Sequence, residues 1–355
     1  MKIWIDLTSL PHVHFFRALI KRLGKAGHEV LVTSREFGIM NDILDKNGIK
    51  YVSIGSHGGR GIKNKLIKSS ERVLELSKYV SREKPDVGLS KHSVEWARVC
   101  FGLRIPSINV IDHETAEAAM KLMIPLSDII VSPVATPIES LRRFGAGDVR
   151  QFYGVCETAH FHDFKPSPEV LKVLGLSKGK KIIISRAEPM LSSHNDHKSV
   201  LFPVLESIKD GFRDIDIVFI PRGKGDLRRY RNLDLIVPET YIDTLSLYSY
   251  AAMMIGAGSC MNRESCVGGC PTISICPDNL PGVDRFLIGK KMMHHSLKSG
   301  EIVSIASEIL RNGSAARKRN GKTAREFEDP YGKIISAMNP FLPQACKSVR
   351  GKRKI

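Results

Sequence analysis

The amino-acid sequence predicts an α/β fold with two Rossmann-like domains that face each other across a cleft. Strand-like apolar runs alternate with amphipathic helix patterns along both halves of the chain, which is typical of parallel sheets covered by helices. The length of 355 residues exceeds the ~250–300 residues at which a single core stops growing. An irregular, proline-containing stretch at 156–168 interrupts the alternation and predicts a linker between the two halves.

The first domain is predicted at 1–155. Its strands follow from the apolar runs KIWIDL, HEVLVTSR, IKYVSIG, PDVGLS, IPSINVID and SDIIVSP. Between these runs, apolar residues recur at helical spacing in HFFRALIKRLGKAG, GIMNDILDKNG, LIKSSERVLELSKYVSRE and SVEWARVCFGLR. Ligands of such sheets bind beyond the carboxyl ends of the strands. The stretches TSLPHVH, SHGGRG, SKHS and DHE are therefore predicted to contribute to a site.

The second domain is predicted at 169–325. Its strand patterns are KKIIIS, IDIVFIPR, LDLIVP, a segment ending in MMIG, and PTISIC, again separated by helix patterns. We expect a helix at 326–342 to pack back on the first domain. The basic tail at 343–355 has the composition of a disordered segment.

Net charge and composition narrow the class of partner. The formal net charge of +17 indicates an anionic partner, such as a phosphorylated substrate, an anionic membrane surface or nucleic acid. No apolar run reaches the ~18–20 residues that span a bilayer, and the start MKIWIDLT lacks a signal-peptide pattern. We therefore expect a cytoplasmic protein, either free or peripheral to a membrane. Four cysteines between 260 and 276 lack the short Cys pairs of zinc sites, so we expect no metal.

The stretch GAGSCMNRESCVGGCP, at 256–271, combines a glycine-rich turn with a helix start. Gly256 and Gly258 allow the backbone to approach a ligand closely, and Ser259 is predicted to cap a helix that begins at Cys260. The free N–H groups at the start of that helix suit a diphosphate. The alternative interpretation is a turn that serves packing alone.

Glu264 falls in the first or second turn of the same helix. Its carboxylate can accept hydrogen bonds from two vicinal hydroxyls, such as those of a ribose. Under the alternative interpretation, Arg263 and Glu264 form a surface ion pair.

Several motifs resemble known families. GAGSCMNRESCVGGCPTISI resembles the nucleotide-sugar loop of GT-B glycosyltransferases and of UDP-N-acetylglucosamine 2-epimerases, in which the turn meets the diphosphate and the helix glutamate binds the ribose. Together with MKIWIDL, PHVHFFR, SRAEP, MNRES and PGVDRFLI, in that order, it identifies the chain as a member of the mostly archaeal domain of unknown function 354 family, over about residues 1–335. The resemblance implies a GT-B fold and a nucleotide-sugar substrate, with no separate cofactor.

Polar residues at the other strand ends complete the candidate site. The predicted donor-binding residues are Arg186, His194, His197, Arg222, Gly256, Gly258, Ser259, Cys260, Arg263 and Glu264. A base for an acceptor hydroxyl is sought among His12, His14, Asp112 and Glu114, with His12 slightly favoured because a histidine titrates near neutral pH. Lys91, His92 and His113 are expected on the acceptor side. For the histidines, the alternative is a structural role at helix starts and in loops.

The loop GGRGIKNKLIK gathers basic side chains without an acid, and apolar residues lie between them. The basic residues are Arg60, Lys63, Lys65 and Lys68, and the apolar ones are Ile62, Leu66 and Ile67. This pattern favours an anionic membrane surface over RNA, because the aromatic side chains of single-strand binders are absent. The alternative is a solvated face without a partner.

The sequence thus predicts a metal-independent glycosyltransferase that moves a sugar from a nucleotide donor, a UDP-sugar, to a lipid-linked or anionic acceptor. Two alternatives stay open. One is a nucleotide-sugar 2-epimerase resembling the UDP-N-acetylglucosamine 2-epimerases, and the other is a GT-B-like RNA- or membrane-binding protein without transfer activity.

Overall fold

The computed structural model describes residues 1–59, 61–176, 179–188, 199–277 and 279–342. The chain divides into two compact units: unit 1 comprises Met1–Ala159 and the segment from Glu328 onward, and unit 2 comprises His160–Phe327. Unit 2 is therefore an insertion into unit 1. Among the sites predicted from sequence, Arg60, His194, His197 and the tail at 343–355 lie outside the described residues.

The described part of unit 1 is built on a seven-stranded parallel sheet, in the order β3-β2-β1-β4-β5-β6-β7. The strands are β1 (Lys2–Leu7), β2 (Glu29–Glu36), β3 (Val52–Ser56), β4 (Val87–Lys91), β5 (Ser107–Val110), β6 (Ile129–Pro133) and β7 (Asp148–Phe152). The helices that connect them are α1 (Leu10–Lys25), α2 (Met40–Lys46), α3 (Ile62–Glu83), α4 (Val94–Leu103), α5 (Glu117–Met123) and α6 (Ile138–Arg142), with a 3₁₀ helix at Ile124–Leu126. The strand order reverses between β1 and β4, which is where ligands of such sheets bind.

Helix α1 begins earlier than the apolar periodicity predicts. The periodic pattern starts at His14, whereas the helix starts at Leu10 and places Pro11 in its first turn. Proline is tolerated there because the first N–H groups of a helix have no partner within it. His12 and His14 consequently lie in the first turns of a helix, where both are buried, and not in an open loop.

Unit 2 contains a second parallel sheet, in the order β12-β11-β10-β8-β9. Its strands are β8 (Lys181–Arg186), β9 (Ile215–Ile220), β10 (Met253–Gly256), β11 (Thr272–Ser274) and β12 (Met293–His295). The helices described are α7 (Glu169–Val173), α8 (Leu201–Gly211), α9 (Lys224–Arg229), α10 (Thr244–Tyr250), α11 (Ser259–Val267), α12 (Gly282–Gly289) and α13 (Ser299–Arg325). The strand predicted at LDLIVP is reduced to one parallel bridge between Val218 and Ile236.

The segment at 156–168, predicted as an irregular linker, begins with the 3₁₀ helix Cys156–Phe161. Cys156, Ala159 and His160 are buried within it. Such short 3₁₀ pieces do not follow the 3.6-residue period, so no helical pattern is visible in the sequence. The division between the two units falls inside this helix.

The chain returns to unit 1 through α14 (Pro330–Met338), which a 3₁₀ helix at Asn339–Phe341 follows. The Asp329 carboxylate caps α14 by accepting from the Tyr331 N–H at 2.9 Å, and Pro330 prevents α13 from continuing into it. Tyr331 is fully buried, and its hydroxyl donates to the Phe15 carbonyl. Arg22 of α1 pairs with Asp329 at 2.7 Å. The C-terminal helix is thus part of the core of unit 1.

Candidate functional site

A glycine turn forms the carboxyl edge of the sheet in unit 2. Strands β8 and β10 are neighbours, with Arg186 in register with Gly256. A Cβ atom added at Gly256 would lie 2.7 Å from Met254 Cε and 2.8 Å from Asn262 Oδ1. A side chain at this position would therefore force Met254 or Asn262 to move.

Helix α11 starts directly after this turn. It begins at Ser259 with Gly258 as its N-cap, one residue earlier than predicted, and no side chain described here caps it. The Ser259 hydroxyl instead lies 3.7 Å from Cys276 Sγ. Cys260, in the first turn, is exposed. The start of α11, with its positive helix end beside the glycine turn, therefore suits an anion.

Asn262, which sequence reasoning overlooked, holds the glycine turn in place. Its Nδ2 donates to the Gly256 carbonyl at 2.8 Å, and the residue is fully buried. Among the described residues, its Oδ1 atom has no hydrogen-bond partner. The only signal in the sequence is a polar amide within the glycine-rich motif, and asparagine is common enough at helix starts to escape notice.

Two arginines flank the turn. Arg186 donates to the Pro221 carbonyl at 2.8 Å, and Arg222 donates to the Ala187 and Ala257 carbonyls at 2.9 and 3.0 Å. Burial, with the neighbouring charge of Arg222 second, lowers the pKa of Arg186. The acceptors of these hydrogen bonds are neutral carbonyl groups. The bonds therefore fix the two guanidinium groups beside the turn without neutralising their positive charges. The arrangement suits an anionic group next to the backbone of α11.

Glu264 is buried, with 4% of its surface exposed. Its Oε1 lies 2.9 Å from His160 Nδ1, and the Tyr248 hydroxyl donates to Oε2 at 3.4 Å. Burial and the Glu264 charge raise the pKa of Tyr248 well above its ordinary value, so its hydroxyl stays a donor. Glu264 is thus a carboxylate on which hydrogen-bond donors already converge.

Arg263, predicted to contact the donor, is instead buried against Asp284. Its Nε donates to Asp284 Oδ2 at 2.9 Å, and only 3% of the residue is exposed. Successive residues of a helix point in different directions, so Arg263 and Glu264 have different neighbours. The surface Arg263–Glu264 pair of the alternative interpretation does not form either.

In unit 1, charged side chains gather at the carboxyl ends of β1, β4 and β5. Lys91 Nζ lies 2.5 Å from Asp112 Oδ2, and His92 Nε2 lies 2.9 Å from Asp112 Oδ1. Lys91 and Asp112 are both buried. Burial by itself lowers the pKa of Lys91, but the Asp112 carboxylate outweighs burial and raises the pKa above its ordinary value.

His12 joins this cluster from α1. The Thr8 N–H donates to His12 Nδ1 at 3.3 Å. Burial, followed by the charges of Lys91 and His92, lowers the pKa of His12 well below its ordinary value. His12 is therefore close enough to Lys91, His92 and Asp112 for their charges to act on its ring.

The remaining residues predicted at this edge, His14, His113 and Glu114, are close in sequence to His12 and Asp112. His14 and Glu114 are both buried. The His113 ring lies 6.5 Å from the His92 ring and contacts Thr115 at 3.3 Å.

Beneath the cluster lies a buried ion pair that the sequence did not predict. Arg72 Nη2 is 2.6 Å from Asp6 Oδ1, and both residues are buried. The hydroxyls of Thr33 and Ser93 also donate to Asp6, at 2.6 and 2.7 Å. The available signal was an aspartate within an apolar strand, since a buried charge requires partners. Which helix supplies the arginine is visible only in the folded structure.

The basic stretch predicted as a loop is the start of α3 instead. Lys63 and Lys65 are exposed on its first turns, while Lys68 pairs with Glu71 at 2.8 Å. Ile62 and Leu66 are 86% and 67% exposed. The helix therefore presents an apolar and basic surface, here called the α3 face, defined by Ile62, Lys63, Lys65, Leu66 and Ile67.

No helix in the described ranges is long and apolar enough to cross a membrane. Within the same ranges, no group of His, Cys, Asp and Glu side chains is arranged to hold a metal ion.

The chain belongs to the family described as "Protein of unknown function (DUF354)", whose profile matches residues 1–341. An uncharacterized protein of Methanocaldococcus jannaschii is 40% identical over 347 residues, covering 96% of this chain and 99% of that protein. The UDP-N-acetylglucosamine--N-acetylmuramyl-(pentapeptide) pyrophosphoryl-undecaprenol N-acetylglucosamine transferase of Clostridium perfringens is 29% identical over 202 residues, or 52% of this chain and 56% of that enzyme. The predicted family is confirmed.

Solved structures define the fold. The UDP-GlcNAc 2-epimerase of Neisseria meningitidis, bound to UDP-GlcNAc, gives a TM-score of 0.73 at 15% identity, covering 95% of this chain and 99% of that one. A glycotransferase of kitacinnamycin gives a TM-score of 0.61 at 14% identity, covering 96% and 99%. The chain therefore has the GT-B fold found in both glycosyltransferases and these epimerases, which confirms the predicted fold class.

Proposed function

We propose that the protein is a glycosyltransferase whose unit 2 binds a nucleotide-sugar donor, specifically a UDP-sugar. The observation that carries the proposal is the grouping of the Gly256–Gly258 turn, the uncapped start of α11, and the flanking Arg186 and Arg222. Backbone N–H groups and two guanidiniums together bind a diphosphate and stabilise it as it leaves. Glu264, one turn further along α11, receives the ribose hydroxyls.

Two comparisons bear on the class of reaction. The transferase of Clostridium perfringens shares 29% sequence identity over about half of the chain, which favours transfer. The solved 2-epimerases share the fold over nearly the whole chain but only 15% identity, so a UDP-GlcNAc 2-epimerase is the second candidate. Incubation with UDP-GlcNAc alone separates them, because an epimerase needs no acceptor and inverts C2 unaided.

The acceptor is proposed to be presented by an anionic lipid surface that the α3 face contacts. Exposed isoleucine and leucine side chains can enter the interfacial region of a bilayer, while the lysines between them meet lipid phosphates. The named Clostridium perfringens relative acts on a pyrophosphoryl-undecaprenol compound. RNA is the less favoured partner, since the α3 face has no aromatic side chain on which bases would stack.

The donor site is tested with Glu264→Gln, which removes the negative charge and keeps the shape. We expect the affinity for UDP, measured by calorimetry, to fall by about 1–3 kcal/mol, because hydroxyls bind a charged acceptor more strongly than a neutral one. Glu308→Gln, an exposed position of α13 in the same unit, is the matched control and should leave the affinity unchanged. Equal affinities in all three proteins would remove Glu264 from the site.

A further inference from the structure

We propose that the second half of α13 binds the phosphate backbone of a double-stranded nucleic acid. The inference goes beyond the proposed function and does not depend on it, because it concerns a different surface of unit 2. It rests on a group of exposed basic side chains that lie together on one helix and form no ion pairs among the described residues.

The basic side chains lie in one continuous segment of α13. Residues 309–325 include six lysines and arginines and no aspartate or glutamate. One of the six, Arg317, faces inward and donates to the carbonyls of Tyr248 and Ala251. The segment thus gathers positive charge on its outer side. The five exposed members are Arg311, Lys318, Arg319, Lys322 and Arg325.

Three of these residues form a row along the helix. Lys318, Lys322 and Arg325 follow one another at spacings of four and three residues, so their side chains lie on one face. At a rise of 1.5 Å per residue the row is about 10 Å long. Arg319 lies at its edge, and a kink at Asn312 separates Arg311 from it. The surface is here called the α13 face, defined by Lys318, Arg319, Lys322 and Arg325.

The buried side of the same helix holds the α13 face in place. Asn320 is fully buried, and its Nδ2 donates to the Met292 carbonyl at 2.9 Å. This bond brings the helix to the turn between α12 and β12, where the two lysines at 290–291 are exposed. Burial, with the Arg319 charge second, lowers the pKa of His294 in β12. The basic surface therefore continues from α13 onto that turn.

Elsewhere in the molecule, helices pair exposed basic residues with acids. Lys68 of α3 lies 2.8 Å from Glu71, and Lys121 of α5 lies 2.7 Å from Glu117. The members of the α13 face have no such partner among the described residues. Like charges three and four positions apart on a helix repel one another. A bound polyanion would remove that repulsion.

The dipole of the helix explains only part of this arrangement. Lys322 and Arg325 lie in the last turn of α13, where positive charges interact favourably with the negative end of a helix. Lys318 and Arg319 precede that turn, and the effect is confined to it. Helix stability therefore does not account for these two residues.

The composition of the surface indicates the class of polyanion. No large apolar side chain of α12 or α13 is exposed, so this surface has nothing to insert into a bilayer, in contrast to the α3 face. It also has no exposed aromatic ring on which single-stranded bases would stack. A duplex keeps its bases inside and presents one phosphate charge per ~1.7 Å of its axis. A rigid row about 10 Å long faces several of these phosphates, and arginine binds phosphate through two parallel hydrogen bonds.

The surface is tested by fluorescence anisotropy with labelled RNA and DNA duplexes of about 20 base pairs and of the same sequence, at a series of salt concentrations. The variant combines Lys318→Gln, Arg319→Gln and Lys322→Gln. We expect its duplex affinity at about 0.1 M salt to fall on the order of 10²-fold, and the slope of log K against log salt to flatten by about 2–3, because each lost phosphate contact contributes ~0.9 to the slope. Binding of both duplexes would assign the backbone as the ligand, and a preference for one would identify its source.

The matched control combines Arg228→Gln, Arg229→Gln and Arg231→Gln, which removes the same charge from exposed positions of unit 2. We expect the control to bind duplexes within threefold of the parent, and both variants to unfold at the parent's temperature. An equal loss in the control would show that the attraction is non-specific and would overturn the inference, as would a parent protein that binds no duplex at low salt. If the α13 variant kept its duplex affinity but no longer floated with phosphatidylglycerol vesicles, a membrane would replace nucleic acid as the partner.

Discussion

Among single residues, His12 illustrates how burial fixes the charge of a side chain. The ring is 7% exposed and lies near the positive charge of Lys91. Both conditions disfavour a second proton on the ring, and the pKa falls well below the ordinary ~6.5 of histidine. In the unfolded chain the same ring titrates normally, so the two states bind different numbers of protons in mild acid.

This difference predicts how stability depends on pH. Below about pH 6.5 the His12 ring binds a proton in the unfolded state but stays neutral in the folded state. The free energy of unfolding therefore falls as pH is lowered. We expect His12→Asn to remove up to ~1.4 kcal/mol per pH unit of this slope between pH 6.5 and 5. Urea unfolding of both proteins at several pH values measures it. Above pH 7.5 the difference in stability between the two proteins should be constant, and parallel curves throughout would contradict the assignment.

At the scale of elements, the strand–turn–helix unit formed by β10, the glycine turn and α11 joins stability to ligand binding. A methyl group at Gly256 would meet Met254, Asn262 and Arg186 at 2.7, 2.8 and 3.1 Å. These contacts include the amide that clamps the turn and the arginine beside it. A change at this one position therefore affects both the packing of the sheet edge and the proposed diphosphate site.

We expect Gly256→Ala to destabilise the protein by about 1–3 kcal/mol through overpacking and to weaken UDP binding as well. Thermal unfolding and calorimetry measure the two effects. Gly211→Ala, at the end of α8 in the same unit, is the matched control because an added Cβ meets nothing within 4 Å. That change should be neutral or stabilising by up to ~1 kcal/mol. Equal behaviour of the two variants would show that the turn tolerates a side chain.

Strands that form apolar runs were predictable from sequence, including the edge strands β3 and β9, whereas the edge strands β7 and β12 were not. The central strand β1 is one apolar run with Asp6 near its end, and it was recognised with its correct bounds. Strand β7, DVRQF, was missed because it is an edge strand whose residues include the exposed Asp148 and the half-buried Arg150, so it shows no apolar run. An edge strand has only one neighbour, so its sequence is less constrained.

The same limit applies to the candidate site. The glycine turn and α11 could be predicted because local spacing determines them. The partner of Arg263 is Asp284, which lies 21 positions away in the chain. No local pattern connects such pairs, and the same is true of Arg72 and Asp6. Residues whose role depends on a distant partner are therefore the ones that sequence reasoning misplaced.

For the whole molecule, the net charge of +17 indicates a particular binding surface where basic side chains lie next to exposed apolar ones. They coincide at the α3 face, with Ile62 86% and Leu66 67% exposed beside Lys63 and Lys65. A general positive charge attracts any polyanion, whereas exposed aliphatic side chains favour binding only where binding removes them from water. Binding to a membrane should therefore depend on both kinds of residue.

We expect the parent protein to float with phosphatidylglycerol vesicles at low salt. Lys63→Gln with Lys65→Gln should weaken binding by about 1 kcal/mol per lysine, and Ile62→Ser with Leu66→Ser should weaken it at any salt concentration. Lys46→Gln with Lys50→Gln, exposed positions at the last residue of α2 and just before β3, is the control of equal charge change. If the control lost binding as strongly as the α3 variants, attraction would be non-specific. If the α3 variants lost RNA binding in a gel shift but still floated with the vesicles, RNA would be favoured over a membrane as the partner.

The insertion of unit 2 into unit 1 has a consequence for the order in which the chain folds on the ribosome. The ribosome makes the first segment of unit 1 up to Ala159, then all of unit 2, and only then the second segment of unit 1 from Glu328. Helix α14 therefore emerges after the whole of unit 2. Until then the Phe15 carbonyl lacks Tyr331, and the surface of β5, β6 and β7 that α14 contacts stays uncovered. Unit 2 is continuous in sequence and needs no later segment, and contiguous domains fold as units during synthesis. The half of the protein that is made first is therefore completed last.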